Sequence, residues 1–217
     1  MISQTEENYL KALFNLEQAK GEASVNDISK QLDIKMPTVT SMIKRLAEKA
    51  LVHYESYKPV TLTDLGKKEA ALIIRKHRLT EMFLVEKMGF GWEEVHEIAE
   101  HIEHIPSQRF FDKMDDMLNY PTIDPHGSPI PDKNGNLIEE KFVTLSDCTV
   151  GNTFVFSAVG SSSEEFLRFL SSRNLILGTR IKILSIEAFD GSMTVQYDHR
   201  LAEVLSNKVC EKILVSK

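Results

Sequence analysis

The chain has 217 residues, of which 42% are hydrophobic and 27% charged, and its net charge is −6. This length allows one large domain or two to three small ones, and the composition is ordinary for a globular protein. No apolar stretch approaches the ~20 residues of a membrane span, the N-terminus lacks a secretion signal, and the two cysteines are far apart, so we expect a cytoplasmic, reduced protein with no membrane partner.

The charge is distributed unevenly along the chain. Residues 1–70 carry ten Lys and Arg against ten Asp and Glu, whereas residues 71–140 carry seven against fourteen and hold five of the seven histidines. Residues 141–217 carry nine against eight. An acidic, histidine-rich middle segment suits a cation, and a neutral first segment can still bind nucleic acid when its basic side chains share a face.

The first elements in chain order are three predicted helices. Apolar residues recur at helical spacing over residues 5–19, where Thr5 is the expected N-cap, and a short second helix covers residues 24–32. Pro37 suits the first turn of a third helix, which extends to about residue 49.

Two short β-like runs follow, at residues 51–55 and 60–63, and the connection between them predicts a hairpin. A long helix is predicted next, from residue 63 to about residue 88. The chain thus begins with three helices, the third of which has a proline in its first turn, and a hairpin follows them. This order of elements is typical of a winged helix-turn-helix, in which the hairpin is the wing.

The predicted third helix has an apolar inner side and a polar outer side. The inward positions are Val39, Met42, Ile43 and Leu46. Outer hydroxyls can contact base edges or phosphates, and outer basic side chains can neutralise phosphates. A solvated amphipathic helix is the alternative interpretation, which the aromatic and basic hairpin tip disfavours slightly. The candidate DNA-binding residues are Lys35, Pro37, Thr38, Thr40, Ser41, Lys44, Arg45 and, in the hairpin, Lys58.

A further helix is predicted at residues 93–105, and its run 96–104 reads His-Glu-Ile-Ala-Glu-His-Ile-Glu-His. At helical spacing two imidazoles and two carboxylates fall in one sector of roughly 100°. Such a face is costly to bury unless its charge is compensated, and a divalent first-row metal compensates it. Solvated ion pairs are the alternative. The four residues are His96, Glu100, Glu103 and His104.

Additional candidate ligands lie on both sides of this helix. His77 and Glu81 are four residues apart on the long helix and therefore share a face. Asp124 and His126 lie in an irregular connection at residues 119–140 that contains four prolines and two glycines. Before it, an amphipathic helix at residues 107–120 carries a Phe and Met stripe that indicates core or a dimer interface.

The last region has β texture. Alternating runs at residues 153–159, 180–186, 192–197 and 212–216 predict strands, and a helix is expected at 163–170. These elements predict a small SH3-like β-barrel of ~70 residues. The fold class is therefore mainly α with a β C-terminal domain. The expected domains are a winged helix-turn-helix (1–70), a helical domain with the candidate metal ligands and the Pro/Gly linker (71–140) and an SH3-like domain (141–217).

Several stretches of residues 1–131 occur together, in this order, in one known family. They are Tyr9-Leu10, Pro37-Thr38-Val39, Leu62-Thr63-Asp64-Leu65-Gly66, residues 75–81, residues 95–104 and Gly127-Ser128-Pro129-Ile130-Pro131. The chain thus resembles the diphtheria-toxin-repressor family of metal-dependent bacterial transcription regulators, which has iron-responsive and manganese-responsive members. The resemblance implies that residues 71–140 form a metal-binding and dimerisation domain and that the SH3-like domain is FeoA-like. It also implies a homodimer in which metal repositions the recognition helices, raises affinity for operator DNA and shuts off metal-uptake genes.

The resemblance implies two metal sites. Glu100, Glu103 and His104 match the first site, which also takes a side chain from the first helix at the position of Asn8. The second, ancillary site matches His77, Glu81 and His96. A residue of the SH3-like domain can complete the second site, and Glu165 lies at about the right place. In some manganese-type members linker ligands occur at the positions of Asp124 and His126, which compete with the version that uses His77 and His96.

The chain also departs from the family pattern. Asn8 stands where iron-type members have Met and manganese-type members have Asp, and it supplies no charge, so Glu6 or Glu7 are alternative ligands. Lys11 stands where one manganese branch has an acidic ligand, which argues against the closely spaced binuclear centre of that branch. Glu100 replaces a Cys of iron-type members, and a carboxylate favours Mn(II) over softer ions. We therefore expect Mn(II), with Fe(II) as the alternative.

These observations predict a metal-activated transcriptional repressor that binds double-stranded operator DNA as a homodimer, without enzymatic activity or a small-molecule substrate. A metal-dependent hydrolase that uses the His and Glu face is the alternative. It would require an open coordination position and a general base, and neither a His-Glu-x-x-His motif nor a nucleophile elbow occurs. A metal buffer or chaperone would leave the winged helix unexplained.

Overall fold

The computed structural model of the chain describes residues 2–138, 141–198 and 200–217. Contacts within the chain define two compact units. The first unit consists of Met1–Thr80, Ala99–Tyr120 and Ile130–Ile138, and the second of Glu81–Ile98, Pro121–Pro129 and Glu139–Lys217. The predicted linker ends at residue 140, and a domain boundary is predicted between residues 140 and 141. Residues 139 and 140 lie outside the described residues.

The first unit begins with three helices, α1 (Gln4–Lys20), α2 (Val25–Leu32) and α3 (Met36–Glu48). Ser3, and not the predicted Thr5, caps α1, because the side chains of Ser3 and Glu6 bond reciprocally to each other's backbone N–H groups. Pro37 lies in the first turn of α3, as predicted. The three helices thus begin where local side-chain chemistry favours a start.

A hairpin and three further helices follow. Strands β1 (Val52–His53) and β2 (Thr61–Leu62) pair antiparallel and are shorter than predicted. Helices α4 (Asp64–Met88) and α5 (Val95–Ile102) contribute residues to both units, and α6 (Gln108–Met117) belongs to the first. The order of α1 to β2 confirms the predicted winged helix-turn-helix.

The core of the first unit is apolar and continuous. Fully buried side chains include Leu10, Leu13, Ile28, Ile43 and Leu46, each with 0% exposure. Each such burial stabilises the fold by about 1.5–3 kcal/mol relative to an exposed side chain. Because α3 is held by this core, its opposite side faces outward.

A buried ion pair connects α4 with α6. Nη2 of Arg75 lies 2.5 Å from Oδ2 of Asp115, and Nη1 of Arg75 donates to the carbonyl oxygen of Pro131 at 2.6 Å. Both charged side chains are less than 10% exposed. Removing one partner of such a pair typically costs 3–5 kcal/mol, about the size of a large core truncation.

The second unit is built on a six-stranded antiparallel sheet in the order β3-β8-β4-β5-β6-β7. The strands are β3 (Val143–Thr144), β4 (Thr153–Val159), β5 (Arg180–Ile186), β6 (Met193–Tyr197), β7 (Arg200–Leu205) and β8 (Ile213–Ser216). A short 3-10 helix (Leu145–Asp147), α7 (Glu164–Ser171) and α8 (Asn207–Cys210) complete it. The predicted β-rich C-terminal region is confirmed, and register shifts in β4, β5 and β6 are typical of strongly bent strands.

Part of the Pro-rich connection packs on this sheet. The backbone N–H of Val159 in β4 donates to the carbonyl oxygen of His126 at 3.0 Å. Gly127 has φ +86°, and a Cβ there would lie 2.1 Å from the carbonyl oxygen of Ser157, so only glycine allows this approach. The connection therefore has a defined place on β4.

Across the part of the chain that the structure describes, every helix is too short or too polar to cross a lipid bilayer.

Candidate metal centre and nucleic-acid interface

Three elements of the first unit bring candidate ligands together. His77 comes from α4, Glu100 from the last turn of α5, and Glu103 and His104 from the turn that follows. Because α5 ends at Ile102, the prediction that this helix continues to residue 105 is wrong. The end of the helix places Glu103 and His104 in a turn rather than on the helical face that the sequence predicts.

The carboxylate of Glu103 lies at the centre of this cluster and is fully buried. Nδ1 of His77 lies 2.6 Å from its Oε2, and Nζ of Lys11 lies 2.8 Å from its Oε1. The same ammonium lies 2.5 Å from Oε1 of Glu100. Burial raises the pKa of Glu103, but hydrogen bonding to His77 and the charges of Lys11 and His77 outweigh it and lower the pKa. Glu103 is therefore held as a carboxylate.

Helix α1 supplies the other side of the cluster. Oε2 of Glu7 lies 2.5 Å from Nδ1 of His104, whose Nε2 is 3.6 Å from Oε1 of Glu103. Oδ1 of Asn8 is buried and has no hydrogen-bond partner among the described residues. A buried polar atom without a partner is costly, and a hydrogen-bond donor or a cation at this oxygen would offset a cost that the described residues leave uncompensated.

The donor set fits a divalent first-row metal ion. Ligand atoms of His77, Glu100 and Glu103 lie within 4.8 Å of one another. Imidazole nitrogen, carboxylate oxygen and the amide oxygen of Asn8 are the donors that Mn(II) and Fe(II) accept. We call the set of Glu7, Asn8, His77, Glu100, Glu103 and His104 the first cluster.

A second group of candidate ligands lies in the second unit. Glu81, Asp124 and His126 are at most 4% exposed, and their ligand atoms lie within 4.8 Å of one another. Nδ1 of His126 is 3.5 Å from Oε2 of Glu81. Oδ1 of Asp124 accepts hydrogen bonds from the backbone N–H groups of His126 and Ser128 at 2.8 and 2.9 Å, which orient this carboxylate. We call these three residues the second cluster.

His126 is held by a residue that the sequence did not single out. The indole of Trp92 stacks on its ring with centroids 5.9 Å apart, and the carbonyl oxygen of Trp92 lies 2.8 Å from Nε2 of His126. Nε1 of Trp92 in turn donates to Oγ of Ser171 on α7 at 2.8 Å. Burial lowers the pKa of His126, but the neighbouring Glu81 and Asp124 carboxylates outweigh it and raise the pKa. In the sequence, the only feature that could have pointed to this role of Trp92 is that it is the single tryptophan of the chain and lies in an acidic segment.

The remaining candidate ligands have separate places. His96 is half-exposed, and its Nδ1 lies 3.2 Å from Oε1 of Glu81 within the second unit. Glu165 is exposed in the first turn of α7 and, within the described part of the chain, belongs to neither cluster. The predicted second site combines His77, which belongs to the first unit, with Glu81 and His96, which belong to the second. This site stays a prediction.

The candidate nucleic-acid surface is the outer side of α3 and the hairpin tip. Thr40 is half-buried, and the other candidate side chains are exposed. The hydroxyls of Thr40 and Ser41 donate to carbonyl oxygens one turn earlier, at 3.0 and 2.9 Å, which leaves their lone pairs available as acceptors. Nζ of Lys58 lies 2.7 Å from Oε2 of Glu55 in the hairpin, and this exposed pair is weak.

Arg45 also contacts α1. Its Nε lies 3.1 Å from Oε1 of Glu6, and Nζ of Lys49 lies 2.6 Å from the same oxygen. Burial raises the pKa of Glu6, but hydrogen bonds from Lys49 and Ser3 outweigh it and lower the pKa to about 2. Glu6 is therefore ionised, and its charge connects α1 to the end of α3.

A winged helix beside a cluster of imidazole and carboxylate groups defines the class of metal-binding, DNA-binding regulators. Three family descriptions match the chain in succession: "Iron dependent repressor, N-terminal DNA binding domain" at residues 1–60, "Iron dependent repressor, metal binding and dimerisation domain" at 63–132 and "FeoA domain" at 143–217.

Known proteins agree with these matches. The iron-dependent repressor IdeR of Mycobacterium bovis is 35% identical over 127 residues, 58% of this chain and 55% of that one, so this chain matches little more than half the length of that relative. The regulator MntR of Oceanobacillus iheyensis is 35% identical over 52% of this chain and 77% of its own length. A solved manganese-dependent transcriptional repressor in complex with manganese superposes with a TM-score of 0.87 at 31% identity, covering 96% of this chain and 98% of that chain.

The chain therefore belongs to the DtxR/MntR/IdeR family of metal-dependent transcriptional repressors, as the sequence motifs predicted. Members of this family are DNA-binding regulators and not enzymes, so the alternative of a metal-dependent hydrolase finds no support.

Proposed function

We propose that this chain is a homodimeric repressor that binds double-stranded operator DNA when the first cluster holds a divalent ion. Mn(II) is the proposed activating ion and Fe(II) the alternative, and the regulated genes serve metal homeostasis. Family membership supports this general function, and the contacts of α1 support a specific route for it.

The observation that carries the proposal is that one helix contacts both functional surfaces. Glu6 of α1 pairs with Arg45 near the end of α3, and the next residue, Glu7, pairs with His104 of the first cluster. Lys11, one turn later, reaches Glu100. A small displacement of α1 at the first cluster would therefore also change the contacts of α1 with α3, the helix that carries the candidate DNA-binding residues.

The role of the metal follows from linkage. An ion that binds the DNA-competent arrangement better than the other arrangement raises DNA affinity, and DNA raises ion affinity by the same factor. A coupling of ~1–3 kcal/mol corresponds to roughly 5- to 150-fold. Within the first cluster, Glu100, Glu103 and His104 would hold the ion together with Asn8 of α1, or with Glu7 in its place. The ion would supply positive charge between α1 and the turn after α5.

The proposed choice of Mn(II) rests on the donor atoms. Neither cluster contains sulfur, and both cysteines of the chain, Cys148 and Cys210, are buried in the core of the second unit. Oxygen-rich donor sets suit Mn(II), whereas thiolates and thioethers select softer ions. The solved repressor with manganese is similar over nearly the whole chain.

The homodimer is supported by apolar surface at and around α6. Exposed fractions are 39% for Phe110, 51% for Met117 and 58% for Tyr120. Large exposed apolar side chains close together in the chain are typical of an interface. The segment lies within the match to a metal-binding and dimerisation domain.

The test uses DNA selected from a random duplex pool by the full chain with Mn(II). Fluorescence anisotropy then compares affinity for a selected duplex with Mn(II), with Fe(II) under anaerobic conditions and with chelator. We expect binding to be at least about 5-fold tighter with metal. Equal binding in chelator would contradict metal activation, and absence of any selected sequence would contradict the repressor.

A further inference from the structure

Trp92 joins three segments of the second unit that are far apart in the chain. It lies in the turn before α5, its ring stacks on His126 at an interplanar angle of 17°, and its Nε1 donates to Oγ of Ser171 at 2.8 Å. The same side chain packs against the apolar core of the second unit. Trp92 is therefore held on several sides, and its contact with the second cluster is a fixed part of the fold.

The backbone of Trp92 determines which ring nitrogen of His126 is available to an ion. Nε2 of His126 lies 2.8 Å from the carbonyl oxygen of Trp92, and a carbonyl oxygen can only accept a hydrogen bond, so Nε2 carries the hydrogen. Nδ1 faces the second cluster, 3.5 Å from Oε2 of Glu81. Histidines that bind metal typically donate their other ring N–H to a carbonyl or carboxylate oxygen, which fixes the tautomer and the orientation of the ring. The contact between His126 and Trp92 has this geometry.

The backbone of His126 is held by other contacts. Its carbonyl oxygen accepts from the N–H of Val159 in β4 at 3.0 Å, and its own N–H donates to Oδ1 of Asp124 at 2.8 Å. These bonds fix the place of the residue on the sheet, but they do not select among the rotamers of its side chain. The orientation of the imidazole ring therefore depends on the carbonyl oxygen and the indole of Trp92.

Helix α7 provides the fixed point for the indole. Its apolar side chains Phe166, Leu167 and Leu170 are buried in the core of the second unit. Ser171 is the last residue of this helix, so the packing of the core also fixes the place of its hydroxyl. A displacement of α7 would move the indole of Trp92 and, with it, the ring of His126.

From these contacts we infer that Trp92 is a positioning residue of the second cluster. It orients His126 so that Nδ1 is the metal-binding nitrogen, and Ser171 of α7 holds Trp92 in this place. Helix α7 thus acts on the second cluster through two side chains that do not touch the ion. The inference goes beyond the proposed function, which concerns the first cluster, and it assumes that the second cluster also binds a divalent ion.

The Mn(II) affinity of the second cluster provides the first test. All chains carry His104→Ala, which removes a ligand of the first cluster, and a chain that also carries His126→Ala measures the binding that does not come from the second cluster. Electron paramagnetic resonance of free Mn(II) gives the affinity. Trp92→Phe keeps a ring for stacking but has no N–H group, and Ser171→Ala removes the oxygen that accepts from it.

We expect each of these two substitutions to weaken Mn(II) binding about 2- to 10-fold, the range that corresponds to one hydrogen bond. A chain with both should lose no more than a chain with one, because both act through the same bond. Ser172→Ala, which removes the exposed hydroxyl of the next residue, is the matched control and should keep the affinity of the parent. Unchanged affinity in Trp92→Phe and Ser171→Ala, or losses that add in the double variant, would overturn the inference.

A second measurement needs no substitution at Trp92. Nuclear magnetic resonance of the full chain, with the heavy nitrogen isotope in its histidines, distinguishes a metal-bound ring nitrogen from one that carries hydrogen. Zn(II) replaces Mn(II) because it is diamagnetic, and His126→Ala assigns the signals of His126. We expect His126 to bind Zn(II) through Nδ1 and to keep the hydrogen on Nε2.

Binding of Zn(II) through Nε2, or no binding of either ion at His126, would overturn the inference even if Trp92→Phe failed to fold. The proposed function is measured separately, by metal-activated binding of the unsubstituted chain to the selected duplex. The two failures are therefore distinguishable.

Discussion

Nδ1 of His104 and Oε2 of Glu7 lie 2.5 Å apart, although the two residues are 97 positions apart in the chain. The contact joins the turn after α5 to the first turns of α1, and both side chains are largely buried. Glu6, the neighbour of Glu7, pairs with Arg45 and Lys49 at the end of α3. The first cluster and α3 therefore contact adjacent residues of α1.

Removing His104 should uncouple metal from DNA. His104→Ala deletes an imidazole of the first cluster and the partner of Glu7, and we expect Mn(II) affinity to fall at least about 10- to 100-fold. Metal-dependent DNA binding should be lost, while far-UV circular dichroism of the metal-free chain is unchanged. Isothermal titration with Mn(II) and anisotropy with the selected duplex measure the two effects.

His101→Ala is the matched control, because His101 is an exposed histidine on α5 only three residues away. It should keep both the Mn(II) affinity and the metal dependence of the parent. The assignment of His104 would be wrong if the two variants behaved alike.

Lys44 and Arg45 separate phosphate contact from coupling. Both are exposed on α3, but Arg45 also contacts Glu6. We expect Lys44→Ala and Arg45→Ala each to reduce the slope of log affinity against log salt by about 1. Only Arg45→Ala should also reduce the ratio of DNA affinity with Mn(II) to that with chelator. Unchanged slopes would remove both residues from the phosphate contacts.

Local sequence rules predicted most of the fold. The helical spacing of apolar residues, together with residues that start or end helices, predicted α1 to α3. Capping residues and Pro37 act within one helical turn, so their effect can be read from the local sequence. The strand β7 (Arg200–Leu205) was missed, since only Leu205 of this edge strand is buried and no alternation is visible. The end of α5 was placed too late, because His and Glu residues give no stop signal at Ile102.

The site was predicted less completely than the fold. Helical spacing and the family resemblance pointed to Glu103 and His104, because each of these two signals depends on residue types within a single segment of the chain. They did not reveal the contact of Lys11 with Glu103 or the stacking of Trp92 on His126, which join segments far apart in sequence. Long-range contacts of this kind depend on how helices pack, and periodicity does not encode them.

The ion pairs of Glu6 predict a pH dependence. Because the pKa of Glu6 is lowered from its ordinary 4.5 to about 2 in the folded chain, its ionised form stabilises the fold above pH 4.5, and this contribution is lost as the pH falls toward 2. Glu6→Gln keeps the capping hydrogen bonds but removes the charge. We expect it to lower the free energy of unfolding by about 1 kcal/mol at pH 7, as for a partly exposed ion pair.

Urea unfolding of parent and Glu6→Gln chains at pH 7, 5, 4 and 3 measures this effect. The difference between them should be constant from pH 7 to 5 and shrink below the ordinary pKa. Glu48→Gln removes an exposed carboxylate of α3 and serves as the control. A difference that persists unchanged at pH 3 would contradict the assigned pKa shift.

Trp92 should report on the second cluster. It is the only tryptophan of the chain, and its indole stacks on His126 with an interplanar angle of 17°. Mn(II) is paramagnetic, so an ion held by Glu81, Asp124 and His126 should quench the fluorescence of Trp92. His126→Ala should weaken Mn(II) binding at this cluster by at least about 10-fold and abolish the quenching at the same concentrations.

His104→Ala, which changes only the first cluster, should leave the quenching intact. Equal quenching in the parent and His126→Ala chains would mean that the second cluster does not bind the ion, and stacking with Trp92 would then have a purely structural role.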